Sequence, residues 1–258
     1  MPSPRLSASS LARIRADQLA VQLGLCTDLE NARRRILAGE IWIETRRIGS
    51  AGELLPRDAL LELRRRSRYV SRGGDKLDGA LDALAIQATG RVAVDVGCST
   101  GGFTDCLLQR GAARVFAIDV GYGQFEWKLR HDPRVVLFER TNVRTIDPAS
   151  LDPRPDLLVA DLSFIALRAV LDVLADLIGR KGDLLLLVKP QFELPSGLVS
   201  GGVVRDPALH EQALQIVEAE AERLAMTPLG RVESRLRGPK GNHEFFLALR
   251  VDQRNSSG

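Results

Sequence analysis

Between residues 76 and 253, short apolar runs alternate with amphipathic stretches. Val92–Val94, Val115–Ile118, Val135–Glu139, Leu157–Ala160, Leu184–Val188, Leu229–Ser234 and Phe245–Arg250 are of strand length and composition. Lys76–Leu84, Ala166–Leu177 and His210–Glu222 carry apolar residues at helical spacing. Such alternation predicts an α/β fold with a parallel sheet covered on both faces. Upstream, residues 11–63 predict a smaller α/β unit. Its first helix is Arg15–Leu23, with Gly24 just past the end, and its second, Leu29–Ala38, runs from an Asp28 N-cap to Gly39. Ile41–Ile43 and Ala59–Leu63 read as its strands. An arginine-rich linker, 64–75, joins the two, and the Ser- and Pro-rich residues 1–10 read as a frayed end.

The charge is uneven. The net charge is only +3, yet Arg33, Arg34 and Arg35 form one block and Arg64, Arg65, Arg66, Arg68 and Arg72 another. A polyanion bound by the first third of the chain is the reading this suggests. A solvated helix face and a charged linker is the plainer alternative. The three cysteines, Cys26, Cys98 and Cys106, lack metal-ligand spacing, so no metal is expected and the thiols read as reduced. No signal peptide is visible and no apolar run approaches the ~20 residues of a membrane helix. A cytoplasmic monomer without membrane contact is the expectation.

Chemistry concentrates at Asp95–Cys106, where an apolar run meets a glycine-rich turn and then a helix. Gly97, Gly101 and Gly102 allow sharp turning and close approach of a ligand. Ser99 stands where a dinucleotide fingerprint would have its second glycine. The next strand ends at Asp119, suitably placed for ribose hydroxyls. A nucleoside cofactor follows, and S-adenosylmethionine fits better than NAD. Asp161 and Lys189 end further strands, Glu244 begins the last and Lys76 opens a helix. Ligands in open α/β sheets sit beyond the carboxyl ends of the parallel strands. A lysine directly after four leucines and a valine belongs at such a rim rather than in a core. Asn142 could reach the adenine region. Tyr122 could wall the pocket, whereas Trp127 reads as core, and His210 and His243 read as non-catalytic.

Two resemblances extend this reading. Arg15-x-Asp17, Gly24-Leu25, Ala32-Arg33 and Ile36–Ile41 resemble the S4 RNA-binding domain. Asp28-Leu29 and Glu44-Thr45 depart from that family's Ser-Arg and Asn-Gly, which weakens the expected phosphate contacts, though the arginine blocks could compensate. Tyr69–Leu77, Asp95–Leu108, Asp119–Gln124, Glu139–Asn142, Asp161–Ile165, Lys189–Glu193, Gly201–Pro207 and Gly241–Phe245 together resemble TlyA-type (hemolysin A family) ribosomal RNA 2′-O-methyltransferases, whose enzyme domain is FtsJ-like. One departure is Ser200, where related sequences often carry lysine.

The resemblance implies a Rossmann-like, class I methyltransferase sheet over 76–253 and a catalytic set of Lys76, Asp161, Lys189 and Glu244. Lys189 is the candidate base, Lys76 orients the hydroxyl, and the acids balance charge; alternatively the lysines stabilise the developing alkoxide. Asp95, Gly97, Ser99, Thr100, Gly101, Gly102, Phe103, Asp119 and Asn142 are the expected cofactor contacts. Arg33, Arg34, Arg65, Arg66, Arg68 and Arg72 are the expected RNA contacts. The expected substrate is ribosomal RNA or a ribosomal subunit, with cytidine ribose as target. Competing readings are a base methyltransferase, an NAD enzyme, a membrane-active hemolysin, and an assembly factor with a degenerate enzyme domain. The first two lack their motifs, the third lacks a span, and the intact tetrad argues against the fourth.

Overall fold

The computed structural model describes residues 12–63, 68–178 and 181–251. The chain divides into two compact units between Arg66 and Ser67. Arg64, Arg65 and Arg66, singled out for charge, lie outside the described residues.

The smaller unit contains β1 (Arg13–Arg15), α1 (Ala16–Gln22), α2 (Leu29–Leu37), β2 (Ile41–Ile43), β3 (Arg46–Arg47), β4 (Leu54–Pro56) and β5 (Leu61–Leu63). β1 pairs with β4, and β2 lies between β3 and β5, all antiparallel. Asp28 caps α2 as expected, its Oδ1 accepting from the Asn31 N–H at 2.8 Å. Gly39, at φ +74°, closes that helix, and Glu40 N–H donates back to the Arg35 carbonyl. Leu19, Ala32, Ile36, Ile41 and Ile48 fill the core. β5 begins at Leu61 rather than Ala59 because Ala59 N–H closes a turn onto Pro56 O. β1, β3 and β4 escape the sequence pattern because runs of two or three residues show no period.

The larger unit is a seven-stranded sheet in the order β11-β12-β10-β9-β6-β7-β8. Its strands are β6 (Val92–Val96), β7 (Arg114–Ile118), β8 (Val135–Phe138), β9 (Leu157–Ala160), β10 (Gly182–Val188), β11 (Met226–Glu233) and β12 (Phe245–Val251). Its helices are α3 (Arg72–Ala83), α4 (Gly102–Gln109), α5 (Trp127–Arg130), α6 (Leu171–Leu177), α7 (Pro190–Glu193) and α8 (Pro207–Arg223). The five strands from β10 to β8 are parallel, but β12 runs antiparallel to both β10 and β11. The expected all-parallel sheet is corrected there. No α-helix joins β11 to β12, and a short return between adjacent strands makes an antiparallel pair.

Side chains alternate between two cores. Val94, Phe116, Leu158, Leu184 and Leu247 face α6 and α8, while Ala93, Val115, Val159, Leu185 and Phe246 face α3 and α4. All seven residues of β10 are buried, as a central strand covered on both faces requires.

Several helix boundaries move from their expected places. α3 starts at Arg72, four residues before Lys76, because Ser71 Oγ accepts from the Gly73 N–H. Residues 68–75, read as linker, therefore pack with the larger unit. Tyr69 is buried and the Val70 N–H donates to Asp105 Oδ2 at 2.8 Å. α8 starts at Pro207, since Asp206 caps it and proline suits the first turn. The expected Ala166–Leu177 helix is a 3₁₀ turn, Leu167–Ala169, followed by α6, because Val170 leaves helical geometry at φ −135°.

Candidate active site

Strand order reverses at β6, which has β7 on one side and β9 on the other. A crevice opens at the carboxyl ends of such strands. Gly97 begins the turn there at φ +81°, and a Cβ on it would lie 2.5 Å from the Asp161 carbonyl oxygen. Only glycine lets the β6 and β9 ends approach this closely. Gly102 brings α4 against the start of α3, where a Cβ would clash with Ser71 Oγ. The glycines singled out from the sequence thus set the walls of the crevice.

Two cavities share its floor. One, of about 430 Å³, is lined by Ile118, Asp119, Asn142, Val143 and Leu162 among others. The other, of about 450 Å³, is lined by Ser71, Lys76, Thr100, Gly102, Phe103 and Arg237 among others. Gly97, Ser99 and Asp161 line both. An apolar slot with a carboxylate and an amide at its rim suits a nucleoside. The second half is edged by the cationic side chains of Arg72, Lys76 and Arg237, and suits a charged tail beside an acceptor. Asp119 Oδ2 accepts from the Ser99 N–H at 2.8 Å and its Oδ1 from the Gly121 N–H at 2.6 Å. It ties the glycine turn to the loop after β7 while lining the nucleoside cavity. Asn142 caps the next turn through Arg144 N–H and lines the same cavity.

Asp95 sits elsewhere than expected. It is fully buried behind the turn, and its Oδ2 accepts from Thr104 Oγ at 2.6 Å. Its Oδ1 has no partner among the described residues. Burial, with a smaller contribution from Asp161, pushes its carboxyl up to about 7. It lines neither cavity, so it acts on the turn rather than as a direct wall. Gly101 is the N-cap of α4, in the left-handed region at φ +92°.

The four expected catalytic residues form two ion pairs. Lys76 Nζ lies 2.6 Å from Glu244 Oε2, and Lys189 Nζ lies 2.5 Å from Asp161 Oδ1. Lys189 also donates to Ser163 Oγ at 2.9 Å. Both lysines are 8% exposed and Glu244 is 1% exposed, so the pairs stand at a nearly dry rim. Parallel pairing of β9 with β10 sets Asp161 beside Lys189. The antiparallel entry of β12 returns Glu244 to the same end of the sheet. Glu244 Oε1 lacks a partner among the described residues, and Gly238 packs so tightly against it that no Cβ would fit.

Sequence reasoning missed Ser163, Phe164, Phe192, Arg237 and Gly238. Ser163 lies two residues beyond Asp161, and its neighbour Phe164 is 92% exposed at φ +67°. Phe164 contacts Phe192 at 5.6 Å between ring centroids. A solvent-facing phenylalanine in the left-handed region was signalled only by its place beside the strand-end acid. Trp127, read as core, is instead 70% exposed and packs on His131, because α5 is a single turn on the surface. Tyr122 lines neither cavity; the Arg140 guanidinium lies 4.1 Å from its ring centroid.

The expected RNA contacts divide by their partners. Arg33 and Arg15 both bind the buried Asp17, whose carboxyl they hold below its ordinary range. Arg34 is exposed, whereas Arg35 pairs with Glu40. Arg68 lies over the Tyr69 ring, 3.7 Å from Asp78. Arg72 is exposed at the cavity mouth. His210 Nε2 donates to the Val204 carbonyl oxygen at 2.9 Å, and His243 contacts Glu233. Among the described residues no cluster could hold a metal ion, and no helix is long and apolar enough to cross a membrane.

A model of the FtsJ-like methyltransferase family matches residues 69–251. The chain is 46% identical to the 16S/23S rRNA (cytidine-2′-O)-methyltransferase TlyA of Mycobacterium tuberculosis, over 93% of this chain and 90% of that one. It is 34% identical to Hemolysin A of Brachyspira hyodysenteriae, over 90% of this chain and 98% of that one. A solved Streptococcus thermophilus protein, provisionally named a hemolysin, superposes with a TM-score of 0.73 at 37% identity, covering 93% of this chain and 89% of that one.

Proposed function

The chain belongs to the FtsJ-like methyltransferase family, and we propose that it transfers a methyl group from S-adenosylmethionine to a ribose 2′-hydroxyl of ribosomal RNA. The observation that carries this reading is the pair of buried lysine–carboxylate contacts, of which Lys76 and Asp161 reach the cavity linings. The mycobacterial relative's printed activity supports ribosomal RNA as substrate and cytidine as target. Residues 11–63 are assigned the S4-like, RNA-binding role, and a cytoplasmic monomer fits that role.

The crevice suits the cofactor by its residues. Asp119 would hold the ribose hydroxyls, Ile118 and Val143 would flank the base, and the turn from Gly97 to Thr100 would carry the amino-acid end. When bound, S-adenosylmethionine supplies a methyl group already activated by its sulfonium. The protein's task is then to deliver an oxygen nucleophile in line. The O2′–methyl bond forms as the methyl–sulfur bond breaks, and the hydroxyl proton must leave. Lys189 stands where its neutral amine would take that proton, or where its ammonium would stabilise the developing negative oxygen while the proton passes to water, and Asp161 and Ser163 fix its Nζ in place. Lys76, held by Glu244, would donate to the same oxygen from α3 and orient it. No step requires a metal.

Tritiated methyl transfer to ribosomal subunits carrying unmethylated RNA tests this. Wild type should label one or both subunits. Lys189→Ala should keep cofactor binding and lose about 10²–10⁴ in single-turnover rate, the usual range for a proton-transfer group. Absence of labelling by wild type with intact cofactor binding would reject the substrate.

A further inference from the structure

The cavity beside the lysines carries more positive charge than the catalytic pairs use. Lys76 is matched by Glu244 and Lys189 by Asp161. Arg72 and Arg237 line the cavity that Lys76 and Asp161 also line, and are left over. They come from distant parts of the larger unit: Arg72 is the first residue of α3, and Arg237 lies in the return from β11 to β12. Arg72 donates through Nη2 to the Arg237 carbonyl oxygen at 3.2 Å, which holds the two segments together. The Arg237 guanidinium itself has no partner among the described residues and is exposed at the cavity mouth. Two arginines without counter-anions, converging on one cavity, make an anion site with bidentate capacity.

Resting on the reading of the site as a ribose methyltransferase, we propose that Arg72 and Arg237 clamp a phosphodiester adjoining the target ribose. The chemistry calls for such a group. A ribose within RNA brings a phosphate anion next to the hydroxyl that must become negative in the transition state. Like charges side by side oppose that change. A guanidinium clamp offsets the phosphate charge and fixes the sugar's orientation toward Lys76 and Lys189. Gly238 packs against Glu244, so the clamp and the catalytic acid are set by one short segment. Arg237 therefore acts as a substrate-binding residue for RNA.

One other anion could use the same site, namely the carboxylate of the cofactor's amino-acid end. The test separates the two. Wild type, Arg237→Ala, Arg237→Lys, Arg72→Ala and a distant control, Arg223→Ala, would be compared in three measurements. These are cofactor Kd by calorimetry, Kd for unmethylated ribosomal subunits across a salt series, and methyl-transfer KM and kcat. The clamp predicts that Arg237→Ala leaves cofactor Kd within twofold. It also predicts at least tenfold weaker subunit binding or KM, with the slope of log K against log salt shallower by about 0.7–0.9, the loss of one phosphate contact. Arg72→Ala should act in the same direction, and Arg237→Lys should recover part of the salt slope. Cofactor Kd weakened tenfold with an unchanged salt slope would overturn the clamp in favour of a carboxylate site. No change in any measurement would overturn it outright. Wild-type subunits that bind but are never methylated would count against the ribose reading itself, and with it the clamp.

Discussion

At the scale of single residues, Asp95 shows how burial and function are separated. Its carboxyl is pushed up to about 7 by burial, whereas an unfolded aspartate titrates near 3.8. Below the unfolded value both states hold the proton and the fold bears no penalty. As pH rises from there through about 7, the unfolded chain ionises first, so stability falls. Asp95→Asn keeps a partner for Thr104 and removes the charge. Urea unfolding at pH 5 and pH 8 should show wild type losing stability between the two, by at most about 3 kcal/mol from this group, and the variant losing less. Equal pH dependence in both proteins would contradict the assignment.

Lys76 gives a second residue-scale prediction. Its partner Glu244 is 1% exposed, so Lys76→Met strands a buried carboxylate. Breaking such a pair costs about 3–5 kcal/mol, whereas replacing both members costs far less. Denaturant melts should therefore rank Lys76→Met below the double variant Lys76→Met, Glu244→Gln in stability, while both are inactive. Recovered folding without recovered turnover would separate the pair's structural role from its chemical one. Asp161 and Lys189 were legible in the sequence because strand ends are where a charged side chain after an apolar run must go, whereas Lys76, Glu244 and the catalytic role of all four were expected through the family resemblance. Arg237 and Ser163 were not, since nothing in a loop's composition fixes where it turns.

At the scale of elements, the starts of α3 and α4 form one device. Gly102 allows the two helix starts to meet, since a Cβ there would run into Ser71 and the Gly74 main chain, and the cavity lined by Ser71, Lys76 and Gly102 depends on that meeting. Gly102→Ala would force Ser71 aside, costing about 1–3 kcal/mol by overpacking. Its cofactor Kd, measured by calorimetry, should rise together with the loss of stability. The cap of α8 behaves differently. Asp206→Ala should cost about 1 kcal/mol in urea unfolding and leave methyl transfer unchanged. Seven strands were readable as apolar runs, but helix boundaries were displaced where a cap rather than an apolar residue decides them. Ser71 and Asp206–Pro207 are the particular cases. The single turn of α5 was invisible because four residues give no helical period, and Trp127 was misplaced with it.

At the scale of the whole molecule, topology turns a scattered set of residues into a site. Lys76 and Glu244 are 168 positions apart, yet the order β11-β12-β10-β9-β6-β7-β8 brings both to one end of the sheet. The alternation of apolar runs predicted the sheet but not the reversed β12, because strand direction depends on the connection and not on the strand's own composition. The reversal matters: a parallel β12 would begin at the opposite end and carry Glu244 away from Lys76. The same topology gives the family its shared architecture, while the acceptor is decided by what lines the rim.

The central claim is that the methyl group goes to a ribose oxygen and not to a base. Unmethylated ribosomal subunits would be incubated with the protein and isotopically labelled S-adenosylmethionine, and the RNA digested to nucleosides and resolved by mass spectrometry. The account predicts the label in 2′-O-methylcytidine, resistant to alkaline cleavage and absent with Lys189→Ala. Label in a base-methylated nucleoside would contradict it.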